Sequence, residues 1–188
     1  MRCGGSVWWT LLLLAPWAFA GEVQVRGVVG LHEEVYLADF ALVLPAKVDT
    51  GADSSSLSAI NIDRFRRNGE RWVRFDLAIE GVEARGVELP ISRIVRIQRR
   101  AADVGDEEKD YSRRPVVRLP ICVGGRRAEV DFTLADRRRF RQPLLLGVSA
   151  LRALAVTVDP EADYLFGGPV CGGAEQAQRV MSWAGGQP

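Results

Sequence analysis

Residues 46 to 54 read Ala-Lys-Val-Asp-Thr-Gly-Ala-Asp-Ser, placing the carboxylate of Asp49 between an apolar run and a glycine turn. A carboxylate at such a corner can act as an acid or base on a bound water. Other chemistries have fewer parts. His32 is the only histidine, so a serine or cysteine nucleophile would have to recruit that residue as its base. It lies in Leu-His-Glu-Glu-Val, which lacks the second histidine of a zinc-hydrolase helix, and it reads as a structural or exposed residue. Asp-Thr-Gly alone is weak, because Asp and Gly are common in turns. One copy is present, and Asp131-Phe132-Thr133 and Asp159-Pro160 lack the following glycine turn.

The elements around Asp49 are short and strand-like. Alternation or apolar runs predict strands over Val23–Val29, Glu34–Ala38, Leu42–Val48, Trp72–Ile79, Val82–Leu89, Arg93–Gln98, Pro115–Val123, Arg127–Leu134 and Ala155–Val158, with a short last one at Tyr164–Phe166. The residues after the Asp49 turn, Ser54 to Ile60, start another strand. Gly124-Gly125 predicts a tight hairpin, and Ser149–Leu154 predicts one short helix. Such a chain is all-β, a closed or sandwich-like barrel. The stretches Ala101–Arg114 and Gly172–Pro188 read as loop and tail.

The 188 residues suffice for one domain with a core. Residues 1–20 carry one charge, Arg2, an apolar run from Val7 to Ala18 and Ala18-Phe19-Ala20 as a cleavage site. These features predict a signal peptide cleaved after Ala20, with a periplasmic or secreted product. The run is shorter than the about 20 residues a membrane span needs, so no stable membrane anchor is expected after cleavage. Without Arg2 the chain has 24 Lys+Arg against 24 Asp+Glu, a balance that gives no long-range attraction for nucleic acid. Cys122 and Cys171 could pair in an oxidising compartment, or Cys122 could be a buried strand residue. Arginines at 99–100, 113–114, 137–139 and 141 read as solvated faces; those near residues 99–114, if they face the cleft, would favour acidic peptides.

The segments AKVDTGADSSSLSA, RRPVVRLPICVGG and LLLGVSAL, in this order and spacing, resemble the retropepsin-like aspartic peptidase family of bacteria, often labelled ATP-dependent zinc proteases. The resemblance runs from about Gly30 to Phe166. It implies a retropepsin-like closed β-barrel over residues 21–170, flanked by the leader and a flexible tail at 171–188. It also implies that Asp49 is catalytic, that Thr50 locks two loops together, and that Gly51 and Ala52 complete the turn. Leu145, Leu146 and Gly147 would support that turn from beneath, and Asp53 would bind substrate backbone. No ligand cluster or nucleotide loop supports zinc or ATP, so no cofactor and no metal are expected.

Two carboxylates close together share a proton, one serving as base toward water and the other as acid toward the scissile carbonyl. With one Asp-Thr-Gly per chain, a homodimer would supply the second. The expected activity is hydrolysis of peptide bonds in a protein or peptide substrate. Two alternatives stand beside it: a binding domain of the same fold without catalysis, and a hydrolase of isopeptide or cell-wall crosslinks. In retroviral relatives an arginine follows the supporting glycine and pairs with the residue equivalent to Asp53. Val148 stands there, and Arg152 is a candidate substitute. Residues 99–114 fall where a flap hairpin would lie, although a plain surface loop fits them as well. Some family members are linked to polyglutamate tails in the cytoplasm, a role that is not carried over to an exported chain.

Overall fold

Val73, Phe75 and Leu77 are buried while the residues between them are exposed or half-buried, the inward half of a period of two. The same alternation recurs in most strands of the computed structural model, which describes residues 26–98, 111–166 and 171. In chain order the strands are β1 (Gly27–Val29), β2 (His32–Leu37), β3 (Leu42–Val48), β4 (Ser55–Arg67), β5 (Glu70–Leu77), β6 (Val87–Pro90), β7 (Arg93–Gln98), β8 (Tyr111–Val123), β9 (Arg126–Ala135), β10 (Leu144–Leu146) and β11 (Val156–Val158). One α-helix, α1 (Val148–Ala153), follows β10, and a 3-10 turn covers Ala38–Phe40. Among the described residues no helix is long and apolar enough to cross a membrane.

The strands run β10-β3-β2-β8-β9-β4, and β4 pairs back onto β10 through Leu144↔Leu57 and Leu145↔Ser56, which closes the barrel. Leu44, Ala46, Val48, Leu57, Val117, Leu119, Phe132, Leu144 and Leu146 fill its interior. Outside the ring, β5 and β6 extend a sheet from the outer half of β4, β7 pairs with β8, and β1 lies parallel to β11. The expected all-β closed barrel with one short helix is the fold observed.

The turn between β8 and β9 is Gly124-Gly125, with φ of 54° and 81° and Val123 opposite Arg126. Positive φ at both positions gives the twist a two-residue hairpin needs. Helix α1 lies within one residue of its expected span. Three expectations are corrected. The strand expected at Val82–Leu89 shrinks to β6, because Val82 turns back to the Ile79 carbonyl and Gly81 and Gly86 take positive φ. Tyr164–Phe166 is not a strand: Tyr164 has φ 52°, its N–H donates to the His32 carbonyl, and the next two N–H groups donate to the Glu33 carboxylate. Leu144–Leu146, read only as a supporting element, is itself a strand. The loop expected at Ala101–Arg114 is also corrected at its end, because Tyr111–Arg114 already pair with β7 as the start of β8; its other residues, the leader at residues 1–20 and the tail from Gly172 lie outside the described residues.

Cys122 and Cys171 are bonded, with their Cα atoms 6.0 Å apart, inside the range a disulfide spans. Cys122 is also buried on β8, so both readings of it hold together. The bridge closes a separation of 49 residues; chain-entropy reasoning for such a loop gives about 3–4 kcal/mol. Reduction, or Cys171→Ala, should lower unfolding stability by about that amount in denaturant titrations followed by circular dichroism.

Candidate active site

Strand β3 delivers Asp49 to the barrel rim. Alternation places Ala46 and Val48 inward and Lys47 outward, and Asp49 continues the outward row. Its N–H donates to the Leu146 carbonyl at 2.9 Å, which extends the parallel pairing of β3 with β10 by one residue. The chain then turns: the Gly51 N–H donates to Asp49 Oδ1 at 3.0 Å, and the Ala52 N–H to the Asp49 carbonyl at 3.3 Å. A side chain at Gly51 would stand 3.3 Å from Asp49 Oδ1. Thr50 is exposed at the turn.

Gly147 passes directly beneath this turn. The Val148 N–H donates to the Ala52 carbonyl at 2.8 Å and the Ser149 N–H to the Asp53 carbonyl at 3.1 Å, while the Gly147 N–H donates to Ser55 Oγ at 3.1 Å. A Cβ on Gly147 would lie 2.7 Å from the carbonyl oxygens of Ala52 and Ser54. Its φ of −89° is open to any residue, so the need for glycine here is steric. Leu144 and Leu146 point into the core, and Leu145 lies half-buried on the outer face.

Around Asp49 the outer face is cationic. Lys47 Nζ is 3.6 Å from Asp49 Oδ2. Arg137, in the β9–β10 loop, is only 8% exposed; its Nη1 donates to Ser56 Oγ at 2.8 Å, its plane covers the Phe140 ring, and its charge acts on Asp49. Burial, followed by repulsion from Arg114, pushes the Arg137 guanidinium below its ordinary pKa, with Asp49 acting in the opposite sense. Burial also lowers Arg114 on β8. These two arginines therefore depart from the solvated faces expected for the clusters. Arg138 does conform: exposed, it pairs with Asp136 and holds that carboxyl down to about 2. Arg99 and Arg100 lie outside the described residues.

His32 stands opposite Lys47 across β2 and β3, with Nδ1 2.8 Å from Asp163 Oδ1 and its ring stacked on Tyr164. The structure brings Asp49, Thr50, Gly51, Ala52, Leu145, Leu146 and Gly147 into one assembly. Asp53 is exposed beside it, and among the described residues no ion pair joins it to Arg152. Arg152 is therefore not the substitute considered for an arginine after Gly147. Asp131 is held by Arg93 and Arg118, and Asp159 accepts the Glu161 N–H in a turn, so both carboxylates have structural partners. Of the candidate flap, β7 and the start of β8 form the arms of a hairpin, whose tip lies outside the described residues. Lys47 and Arg137 are the site residues the sequence reading missed. Lys47 was legible two positions before Asp49 in an alternating strand, whereas nothing local marks the loop residue Arg137.

The family model described as retropepsin-like aspartic endopeptidase RimB matches residues 28–167. A protein of Shewanella pealeana named "Probable alpha-L-glutamate ligase" is 33% identical over 140 residues, covering 73% of this chain and 30% of that protein. A protein of the same name from Desulfotalea psychrophila is 30% identical over 146 residues, covering 76% and 30%. The chain thus spans about 30% of the length of these curated relatives. A crystal structure of a protein of unknown function from Legionella pneumophila superposes with a TM-score of 0.62 at 30% identity, covering 76% of this chain and 99% of that one.

Gly147→Ala should cost about 1–3 kcal/mol, the range for forcing an atom into a filled space, seen as a lower Tm. A variant as stable as wild type would show that the turn can move away from β10.

Proposed function

The chain belongs to the RimB-like family of retropepsin-like aspartic endopeptidases, and from that premise we propose that it hydrolyses peptide bonds with water activated by a pair of Asp49 carboxylates, one from each of two chains. The observation that carries this reading is a single Asp-Thr-Gly turn held at the barrel rim by Leu146 and Gly147, with its carboxylate 29% exposed beside Lys47. One such carboxylate can act as base or as acid but not as both within one step. Two sharing a proton can do both.

The leader pattern supports an exported enzyme, and so does the Cys122–Cys171 bond, which persists where thiols oxidise. Acidic peptides are the substrates best suited to this site. Lys47, 3.6 Å from the Asp49 carboxylate, and Arg137, whose charge acts on Asp49, give it a cationic character, and the similar segment of the ligase relatives occurs in proteins named for L-glutamate.

Asp49→Asn should reduce turnover of acidic peptides by at least about 10³-fold, in line with losses of essential acid–base groups, while leaving the circular dichroism spectrum unchanged. Turnover surviving in that variant would move the reaction elsewhere.

Mixing tests the shared site. Excess Asp49→Asn chains should draw wild-type chains into heterodimers that hold one carboxylate, so specific activity should fall faster than dilution alone explains. Full activity in a species shown by sedimentation to be monomeric would overturn the shared dyad.

A further inference from the structure

We propose that Arg66 and Arg71, which face each other across the β4–β5 ladder, form a binding site for a phosphate group, on an arm of the fold that the dyad does not use.

The arm grows out of the barrel wall. Among the described residues the partner of β4 beyond Ser58 is β5 alone, and Asn68-Gly69, with φ of 51° and 84°, closes the pair as a two-residue hairpin. One row of β5, formed by Leu77, Phe75 and Val73, is buried in the core. Arg71 is the next residue of that row, where the core ends. Register sets it directly opposite Arg66, which brings their Cβ atoms to about 5 Å, and like charges so placed destabilise a ladder.

On the other face of the arm the same conflict is resolved within the chain. Arg67 and Arg74 share the Glu88 carboxylate, and the Arg67 guanidinium lies over the Trp72 ring. Arg66 and Arg71 have no such partner: among the described residues neither is in an ion pair. Arg66 Nη1 donates to the Gly69 carbonyl at 2.8 Å, which holds the guanidinium at the hairpin turn and leaves it further N–H groups to donate. Glu70, the acid beside them, is opposite Arg67 in the ladder and so belongs to the other face. Arg64, two residues before Arg66 in the same row, adds a third positive charge to this side.

The two arginines border a concavity of about 510 Å³, with Gly69, Pro90 and Ile91 among its walls. A Cβ at Gly69 would meet nothing within 4 Å, so the mouth is open. The floor is fixed: Ile91 is buried, and its N–H donates to the Arg71 carbonyl at 2.8 Å. One guanidinium fork takes up both oxygens of a planar carboxylate, whereas a tetrahedral phosphate has oxygens for two forks. Charge agrees, since a phosphate monoester carries about −1.5 to −2 at neutral pH, the amount two arginines balance. A soluble phosphate ester and a lipid headgroup present this same chemistry.

The test compares full-length wild type with Arg66→Gln, Arg71→Gln and Arg74→Gln, the last removing an equal charge from the opposite face of the arm. Inorganic phosphate, titrated in calorimetry against chloride of equal ionic strength, should bind wild type and Arg74→Gln at one per chain. Arg66→Gln and Arg71→Gln should bind it about 10- to 100-fold more weakly, as expected for losing hydrogen bonds to a charged group. Melting supplies a sign that a misfolded variant would not give. In chloride Arg71→Gln should melt no lower than wild type, because a like-charge pair is relieved; in phosphate wild type should melt higher, because only it binds the anion well. Vesicles of phosphatidylcholine with and without phosphatidic acid identify the source. Wild type sedimenting with the acidic vesicles, and released by inorganic phosphate, assigns a lipid headgroup; phosphate binding with the vesicles ignored assigns a soluble ester, and either supports the site. Equal responses to phosphate and chloride would overturn it, as would phosphate binding of wild-type strength in Arg66→Gln and Arg71→Gln. So would equal weakening in Arg74→Gln, which would reduce the effect to the overall charge of the arm.

Discussion

The site depends on how closely Gly147 approaches the underside of the Asp49 turn. The Val148 and Ser149 N–H groups reach the Ala52 and Asp53 carbonyls only because no side chain stands between the two backbones. The same short segment closes the barrel, since β10 pairs with β3 on one side and β4 on the other. Leu144 and Leu146 are buried in the core, so a shift of the supporting segment would also open a packed interior, where lost volume is costly. Position of the carboxylate and integrity of the fold are therefore one constraint.

Electrostatics distinguish this rim from much of the surface. Elsewhere several arginines meet carboxylates: Arg67 and Arg74 with Glu88, Arg93 and Arg118 with Asp131, Arg138 with Asp136. Such exposed pairs contribute little to stability, but they leave little local field. Arg137 differs in being buried, and among the described residues its guanidinium is hydrogen-bonded to neutral oxygens. A buried cation without a hydrogen-bonded carboxylate is unfavourable, and holding Arg137 against Ser56 keeps a positive charge within reach of Asp49. The near-neutral chain as a whole conceals this arrangement.

The ends of the described domain are tied to the same side of the barrel. Glu33 points inward from β2 and is almost wholly buried, yet its carboxylate accepts N–H groups from Gly30, Leu165 and Phe166. Backbone donors in that number can hold a carboxylate in the interior without a cation. Phe166 in turn lies against Gly124 at the β8–β9 turn, where a side chain would collide with its ring. This strap brings Asp163 and Tyr164 to His32, one strand away from Lys47.

Alternation in the sequence by itself determined the all-β class, most strands and the Gly-Gly hairpin, because a period of two and positive-φ turns are local properties. The sequence also determined the Asp49 turn and, through the family resemblance that these residues carry, its support by Leu145-Leu146-Gly147. It misled at Val82–Leu89 and Tyr164–Phe166, where apolar residues suggested strands but glycine turns and the distant Glu33 carboxylate claimed the backbone. Only the tertiary structure decided that Cys122 meets Cys171, that among the described residues no ion pair joins Arg152 to Asp53, and that one arginine of a run of three is buried beside Ser56 while its neighbour is solvated. Those outcomes depend on which distant strands become neighbours when the barrel closes, and a side chain's partners across that closure leave no periodic trace in its own segment.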